Sequence, residues 1–309
     1  VPDLVEAAGW YLRAAEKGVA AAQYNLAVLY ENGEGVGLDG EKAVAWYTLA
    51  ARQNYGLAQI ALGEMYDWGH GAPYDPEAAA EWYRRAAEAG VARAQSRLGV
   101  MYAEGRIVSG NDREAALWFV RAARQGDADA QHHLALFYES GRGLARDPSA
   151  AVRWYLAAAK QGHVLAQNNL GILFDEGRGV PRDARSARDW YQQAADRGNA
   201  DAQYNLALLY DEGRGTHQDL AAAAHWYRKA AEKGHGGAQY NMGVMSAQGD
   251  GAAQDYVSAR TWAALAADYG QPDEVRVRAE ELRDALAELM SGEQIAEADR
   301  RVREWQPAG

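Results

Sequence analysis

Residues 22–56 read AQYNLAVLYENGEGVGLDGEKAVAWYTLAARQNYG, and this stretch decides the fold. Its first half sets Ala22, Leu26, Leu29 and Tyr30 at i, i+4, i+7 and i+8, the apolar stripe of an amphipathic helix. Its second half sets Ala43, Trp46, Tyr47, Ala50 and Ala51 at i, i+3, i+4, i+7 and i+8, a second helix with a wider stripe. Between them lies Gly33-Glu34-Gly35-Val36. A glycine just past the last apolar residue adopts the left-handed conformation cheaply and stops a helix. Asp39 stands where an N-cap belongs; Asp75 and Asp147 fill the same slot, each followed by the proline favoured at the first helical position. The stretch predicts a helical hairpin.

Working outward, the hairpin recurs. Trp10, Trp46, Trp82, Trp118, Trp154, Trp190, Trp226 and Trp262 stand 36 residues apart with no insertion or deletion. Ala-Gln marks seven first helices, at 22–23, 58–59, 94–95, 130–131, 166–167, 202–203 and 238–239. Glycines 18, 90, 126, 162, 198, 234 and 270 end second helices. Self-similarity at this period marks stacked repeats, each burying its apolar face only against its neighbours. The predicted fold is therefore all-α, an α/α solenoid of 36-residue hairpins. A half-repeat, 1–18, is followed by seven repeats that end at residue 270. The half-repeat lacks a helix in front of it, so its open face calls for upstream sequence or another subunit. Residues 271–309 leave the period: Val275, Ala279, Leu282, Leu286 and Leu289 form one strip, and Ser291 precedes a second of Ile295, Ala298, Val302 and Trp305. Two charged-faced helices capping the array are expected there.

Composition narrows the function. The 309 residues carry a formal charge of −11, which opposes binding to a phosphate backbone, so no nucleic acid is expected. With no cysteine, disulfides, thiolate catalysis and Cys-ligated zinc are excluded. No apolar run approaches the ~20 residues of a membrane span. The first residue is Val, which reads as a processed or truncated chain.

The run Ala202-Gln203-Tyr204-Asn205-Leu206-Ala207-Leu208-Leu209-Tyr210, then Gly213-Arg214-Gly215, Asp219, Ala223, Trp226-Tyr227 and Ala230-Ala231, resembles the Sel-one-like repeat, a relative of the tetratricopeptide repeat. The resemblance covers residues 1–270. It implies a right-handed superhelix whose concave wall is built from first helices, and a role as adaptor or regulator, often exported in bacteria; a periplasmic location is the expectation, a cytoplasmic one the alternative. Some relatives staple each repeat with paired cysteines, a feature this chain lacks.

Little in the chain points to catalysis. Gly-x-Gly turns such as Gly141-Arg142-Gly143 lack the Lys-Ser or Lys-Thr and the strand-to-helix setting of a phosphate loop. His132 and His133 are adjacent on a helix and diverge, which disfavours a shared metal. No nucleophile, base and orienter assemble, so a non-enzymatic protein with no cofactor and no metal is expected. The alternatives are a regulatory subunit of an envelope signalling or cell-wall enzyme complex, and a cell-wall-active hydrolase. The tryptophans are expected in the repeat core. Glu31, Asp67, Glu139, Asp175 and Asp211 end first helices, and Arg106, Arg142, Arg178 and Arg214 occupy the following turns. This pattern predicts either ion pairs between hairpins or a solvated rim.

The candidate surface comes from the two residues after Ala-Gln, which the tetratricopeptide analogy directs into the groove. They are Tyr24-Asn25, Ile60-Ala61, Ser96-Arg97, His132-His133, Asn168-Asn169, Tyr204-Asn205 and Tyr240-Asn241. An Asn side chain both donates and accepts, matching a peptide group. Three consecutive repeats abandon the Tyr-Asn pattern, and Trp68, off the 36-residue ruler, falls among them. The turn 105–110 there also lacks its second glycine. Protein or peptide binding in the groove is predicted through Tyr24, Asn25, Trp68, Arg97, His132, His133, Asn169, Tyr204, Asn205, Tyr240 and Asn241.

Overall fold

The computed structural model describes residues 3–107, 110–251, 253–270 and 273–308; Val108 and Ser109 of the irregular turn lie outside the described residues. Among the described residues there are seventeen helices and no strand. The chain divides into two compact units, Val1–Ala158 and Ala159–Gly309.

In the first unit α1 (Leu4–Glu16) leads four hairpins: α2 (Ala20–Asn32) with α3 (Gly40–Arg52), α4 (Gly56–Trp68) with α5 (Pro76–Glu88), α6 (Ala92–Glu104) with α7 (Asp112–Arg124), and α8 (Ala128–Ser140) with α9 (Pro148–Lys160), whose last residues cross the division. From α1 to α8 each helix packs against the next, within hairpins and between them. In the second unit α10 (Val164–Glu176) pairs with α11 (Ala184–Asp196), α12 (Ala200–Glu212) with α13 (Leu220–Glu232), and α14 (Gly236–Gln248) with α15 (Tyr256–Tyr269). Two further helices, α16 (Asp273–Ala287) and α17 (Gly292–Glu304), pack on α15, and α16 also reaches α14.

The turn chemistry is as the sequence predicts. Gly213 ends α12 at φ 69°, and the Asp219 carboxylate accepts from the Ala222 amide at 2.9 Å to start α13. The Asp219 amide donates back to the Tyr210 carbonyl at 2.9 Å, which closes the hairpin. Asp39, Asp75 and Asp147 cap their helices in the same way at 2.9–3.0 Å. Such caps are worth about 1 kcal/mol each. Gly270 departs from expectation: α15 runs one residue longer than its counterparts, and Gly270 has an extended backbone at φ −67° instead of a left-handed one. At the end of α3 the left-handed residue is Asn54, at φ 61°, where the other repeats use glycine.

The core is built of alanine and one aromatic per hairpin. Tyr47, Tyr83, Phe119, Tyr155, Tyr191 and Tyr227 are at most 2% exposed. Room for these rings comes from small residues on the facing helix: a Cβ on Gly99 would sit 2.7 Å from the Phe119 ring. The tryptophan preceding each ring is less buried than predicted. Only Trp118 and Trp226 are buried, both at 8%, and Trp10 is 60% exposed. Adjacent helical residues point about 100° apart, so one ring of each pair takes the innermost place, and it is the tyrosine or Phe119. Basic side chains three residues on cover several of the half-buried indoles: Arg85 lies 4.7 Å above Trp82 and Arg121 4.5 Å above Trp118.

Ser291 caps α17 through a reciprocal box, donating its amide to Gln294 at 2.9 Å and accepting from the Gln294 amide at 3.3 Å. Ala279, Leu286 and Ala298 are buried in this closing pair, whereas Leu289, assigned to the same strip, is exposed.

Candidate partner-binding face

The Ala-Gln signature is structural. Each glutamine is buried, and its Nε2 donates to a carbonyl eight residues earlier, near the end of the preceding second helix: Gln23 to Ala15, Gln59 to Ala51, Gln95 to Ala87, Gln131 to Ala123, Gln167 to Ala159, Gln203 to Ala195 and Gln239 to Ala231, at 3.0–3.2 Å. Each of these carbonyls also accepts the amide three residues on, so the glutamine supplies a second donor at the helix C-terminus and ties the two helices together.

The acidic row is also built into the frame. Glu31 accepts from the Tyr47 hydroxyl at 2.5 Å, Glu139 from Tyr155 at 2.8 Å and Asp211 from Tyr227 at 3.2 Å. Burial, and after it the carboxylate, pushes the Tyr47 and Tyr227 phenols above their usual range, so they remain protonated donors. The arginine row supplies rungs between hairpins: Arg106 pairs with Asp67 and Arg214 with Asp175. The ion-pair reading of these rows is the one the structure shows.

Against this frame, the candidate residues of the second unit are largely committed to packing. The Tyr204 ring stacks on His235 at 4.4 Å and tilts against Tyr227 at 5.8 Å. Asn205 donates to the Asn168 side chain at 3.3 Å, and Asn241 hydrogen-bonds the Tyr227 hydroxyl. Tyr240 packs on the cluster of Ala266, Ala267 and Ala279, and Asn169 is half-buried on α10. In the first unit Tyr24 lies 5.6 Å from the Tyr47 ring and 5.5 Å from Tyr55, with Asn25 half-buried beside it on α2.

The irregular repeats differ. Trp68, the last residue of α4, is 52% exposed. The same slot elsewhere holds Asn32, Glu104, Ser140, Glu176, Glu212 and Gln248, polar every time. The Arg97 guanidinium lies 6.0 Å from the Trp68 ring, and the His70 ring stands edge-on to it at 6.0 Å. Arg97 shares an acid with a second cation: Glu64 holds it at 3.5 Å and Arg93 at 2.6 Å. Glu64 escapes a search for motifs, but the 36-residue alignment singles it out, because its slot is Val28, Val100, Leu136, Ile172, Leu208 and Val244 in the other repeats. Arg93, Arg97 and His133 line one hollow together with Ser96, Val100, Asp127 and Asp129.

His132 corrects the prediction. It is 6% exposed and packs 5.8 Å from the Tyr155 ring, so it belongs to the core and offers no surface. His133, stacked on Phe119 at 5.0 Å, is the histidine that reaches the hollow. Among the described residues no group of three His, Asp or Glu is placed to hold a metal, and no helix is long and apolar enough to cross a membrane.

This geometry defines a helical-repeat protein whose periodic polar residues hold hairpins together. The Sel1 repeat model matches residues 1–19, 20–55, 56–91, 92–127, 128–163, 164–199, 200–235 and 237–270, and the chain belongs to the Sel1 repeat family. It is similar to a Sel1 repeat protein from Oxalobacter formigenes, 34% identical, over 90% of this chain and 79% of that one, with a TM-score of 0.73. The protective antigen c5321 of uropathogenic Escherichia coli, described as displaying an SLR fold, is 29% identical over 98% of this chain and 79% of that one, with a TM-score of 0.48. Comparison with curated proteins gives no match. Sel1 repeats form a tetratricopeptide-like solenoid typical of protein–protein interaction scaffolds, which are generally not catalysts.

Proposed function

We propose that the protein is a non-catalytic scaffold that captures a protein or peptide partner, and that the face around Trp68, Arg97 and His133 in the first unit makes the capture. One observation carries the reading: Trp68 is the exposed large aromatic in a slot that is polar in all six other repeats. An indole on the surface is costly in water and becomes favourable when a partner covers it, and Trp and Arg are the residues most enriched where binding energy concentrates. Glu64 supports the reading by fixing Arg93 and Arg97, so less side-chain freedom is lost on binding.

The candidate residues of the second unit, with Tyr24 and Asn25, serve this function as frame. The rings of Tyr24, Tyr204 and Tyr240 and the amides of Asn205 and Asn241 are engaged within and between hairpins, which supports a part in spacing the repeats. The test replaces Trp68 and Arg97 together with alanine and compares affinity capture from the source cell, read by mass spectrometry, with the parent protein. Loss of the captured partner at an unchanged thermal melt is expected. Undiminished capture would remove the face from the function.

A further inference from the structure

Two slots of the repeat change together. The acid that ends a first helix is Glu31, Asp67, Glu139, Asp175 or Asp211, and the core ring of the same hairpin is Tyr47, Tyr83, Tyr155, Tyr191 or Tyr227. Glu31, Glu139 and Asp211 take the hydroxyl, whereas Asp67 and Asp175 pair with Arg106 and Arg214, and the Tyr83 hydroxyl has no hydrogen-bond partner among the described residues. Where the acid is lost, at Ala103 and Ala247, the tyrosine is lost as well, to Phe119 and Ala263. A tyrosine hydroxyl buried without its carboxylate would be an unsatisfied donor, so removing one partner favours removing both.

The two losses are resolved differently. In the α14–α15 hairpin another helix of the chain comes in: the Leu282 side chain of α16 lies 3.2 Å from where a Cβ on Gly243 would stand, as the Phe119 ring lies at Gly99. In the α6–α7 hairpin the following helix, α8, also packs on α7 and reaches α6, and Phe119 itself fills the space at Gly99; a hollow of about 400 Å³ remains beside Ala103, lined by Val100, Ala103, Phe119, His133, Leu136 and Phe137. That volume lies within the ~300–1,000 Å³ of small-ligand clefts. Arg142, which would meet the acid if Ala103 were one, instead donates to the Ala103 carbonyl at 3.1 Å, pairs with Asp112 at 2.5 Å and lies 4.9 Å over the Phe137 ring. Arg142, Glu104 and Ser140 are polar members of the lining, and most of the remaining wall is apolar. Val100 and His133 also line the hollow that Arg97 reaches, so the apolar site continues the Trp68–Arg97 face.

We infer that this hollow is a socket for one leucine- or phenylalanine-sized side chain of the partner, which enters between α6 and α8. The occupant is apolar because the vacated slot has lost both of its polar members, and it comes from a protein because the socket adjoins the exposed indole. The inference rests on the proposed partner-binding function, and the test separates the two by leaving the partner out.

The probes are N-acetyl-L-leucinamide, N-acetyl-L-phenylalaninamide and, as polar control, N-acetyl-L-glutaminamide, titrated at millimolar concentration against methyl-labelled full-length protein. The two apolar amides are expected to shift the methyl signals of Val100 and Leu136 saturably, and the glutamine derivative to leave them in place. The double variant Ala103→Asp/Phe119→Tyr restores the pattern of Asp211 and Tyr227, so the chain already contains its folding precedent. It should weaken apolar-amide binding at least tenfold; if it does not fold, Ala103→Leu fills the same space and must show the same loss. Absence of saturable shifts, equal shifts with the glutamine derivative, or binding undiminished in the filled variant would each overturn the socket. Trp68→Ala/Arg97→Ala should leave amide binding unchanged, so lost partner capture with intact amide binding, or the reverse, identifies which proposal failed.

Discussion

The α12–α13 and α6–α7 hairpins are cut from one 36-residue template and have diverged in what their polar slots do. In α12–α13 the template is complete: Asp211 takes the Tyr227 hydroxyl, Tyr204 stacks on His235, and Trp226 is buried. In α6–α7 the acid and hydroxyl are gone, Ser96-Arg97 replace Tyr-Asn, and Glu64 reaches in from the preceding hairpin to hold two arginines. Both keep the buried glutamine and the buried aromatic ring. The difference teaches that stability and recognition use separate slots of one repeat, so a hairpin can surrender the second set without losing the first.

The comparison breaks first at the shared ring. Tyr227→Ala and Phe119→Ala should each cost about 3–5 kcal/mol, as other large-to-small core changes do. The tyrosine change should be the larger of the two because it also strands Asp211. Urea unfolding midpoints of the two variants test this, and a small loss at either position would contradict the common frame.

Next comes the glutamine. Gln203→Leu and Gln95→Leu each remove the side-chain donor from a helix-end carbonyl that keeps a backbone amide (Gly198 on Ala195 at 2.9 Å, Gly90 on Ala87 at 3.0 Å), a cost of about 0.5–1.5 kcal/mol per hydrogen bond lost. Both should lose stability, Gln95→Leu the more, because its Oε1 also accepts from Gln125 at 2.8 Å whereas the Gln203 Oε1 has no partner among the described residues. A loss in one alone would show that the frame is not shared.

The acid–tyrosine slot sharpens the contrast at lower energy. Tyr227→Phe should cost about 0.5–1.5 kcal/mol, the net worth of one hydrogen bond. Phe119→Tyr should be stabilising only when Ala103→Asp accompanies it, a coupling that a double-mutant cycle measures directly.

The smallest effect is in pH. His235 accepts the Ala238 amide at 3.1 Å as an N-cap, which requires a neutral ring, and burial holds its pKa below the ordinary 6.5. The folded state therefore binds fewer protons than the unfolded chain. The cap's contribution is complete above about pH 6.5 and is lost as the pH falls through the lower folded value. Asn199 fills the same slot one repeat earlier, at 2.7 Å from the Ala202 amide. His235→Asn should thus flatten the melting temperature across this window, and an unchanged acid slope would place the dependence elsewhere.

The hairpin, its caps and its period were legible because each follows from local chemistry repeated seven times. Asp39 and Gly33 act within a few residues of where they stand, so sequence spacing is enough to read them. Three features were not legible for physical reasons. Trp46 and Tyr47 are both apolar neighbours on a helix, and periodicity alone does not say which faces inward. Gln203 looks like a signature until its partner, a carbonyl on the preceding helix, is placed in space. His132 and His133 diverge on one turn, and only packing assigns one to Tyr155 and the other to the surface. Trp68 stood out in the sequence as a tryptophan off the 36-residue ruler, and the structure adds that it is exposed.

The most direct measurement places a photo-crosslinking residue at Arg97 in one protein and at Asn205, the same slot in the complete hairpin, in another. Both are irradiated in extract of the source cell and the adducts are compared. A specific adduct at position 97 and none at 205 is the predicted result; an adduct at 205 with none at 97 would contradict the division between frame and face.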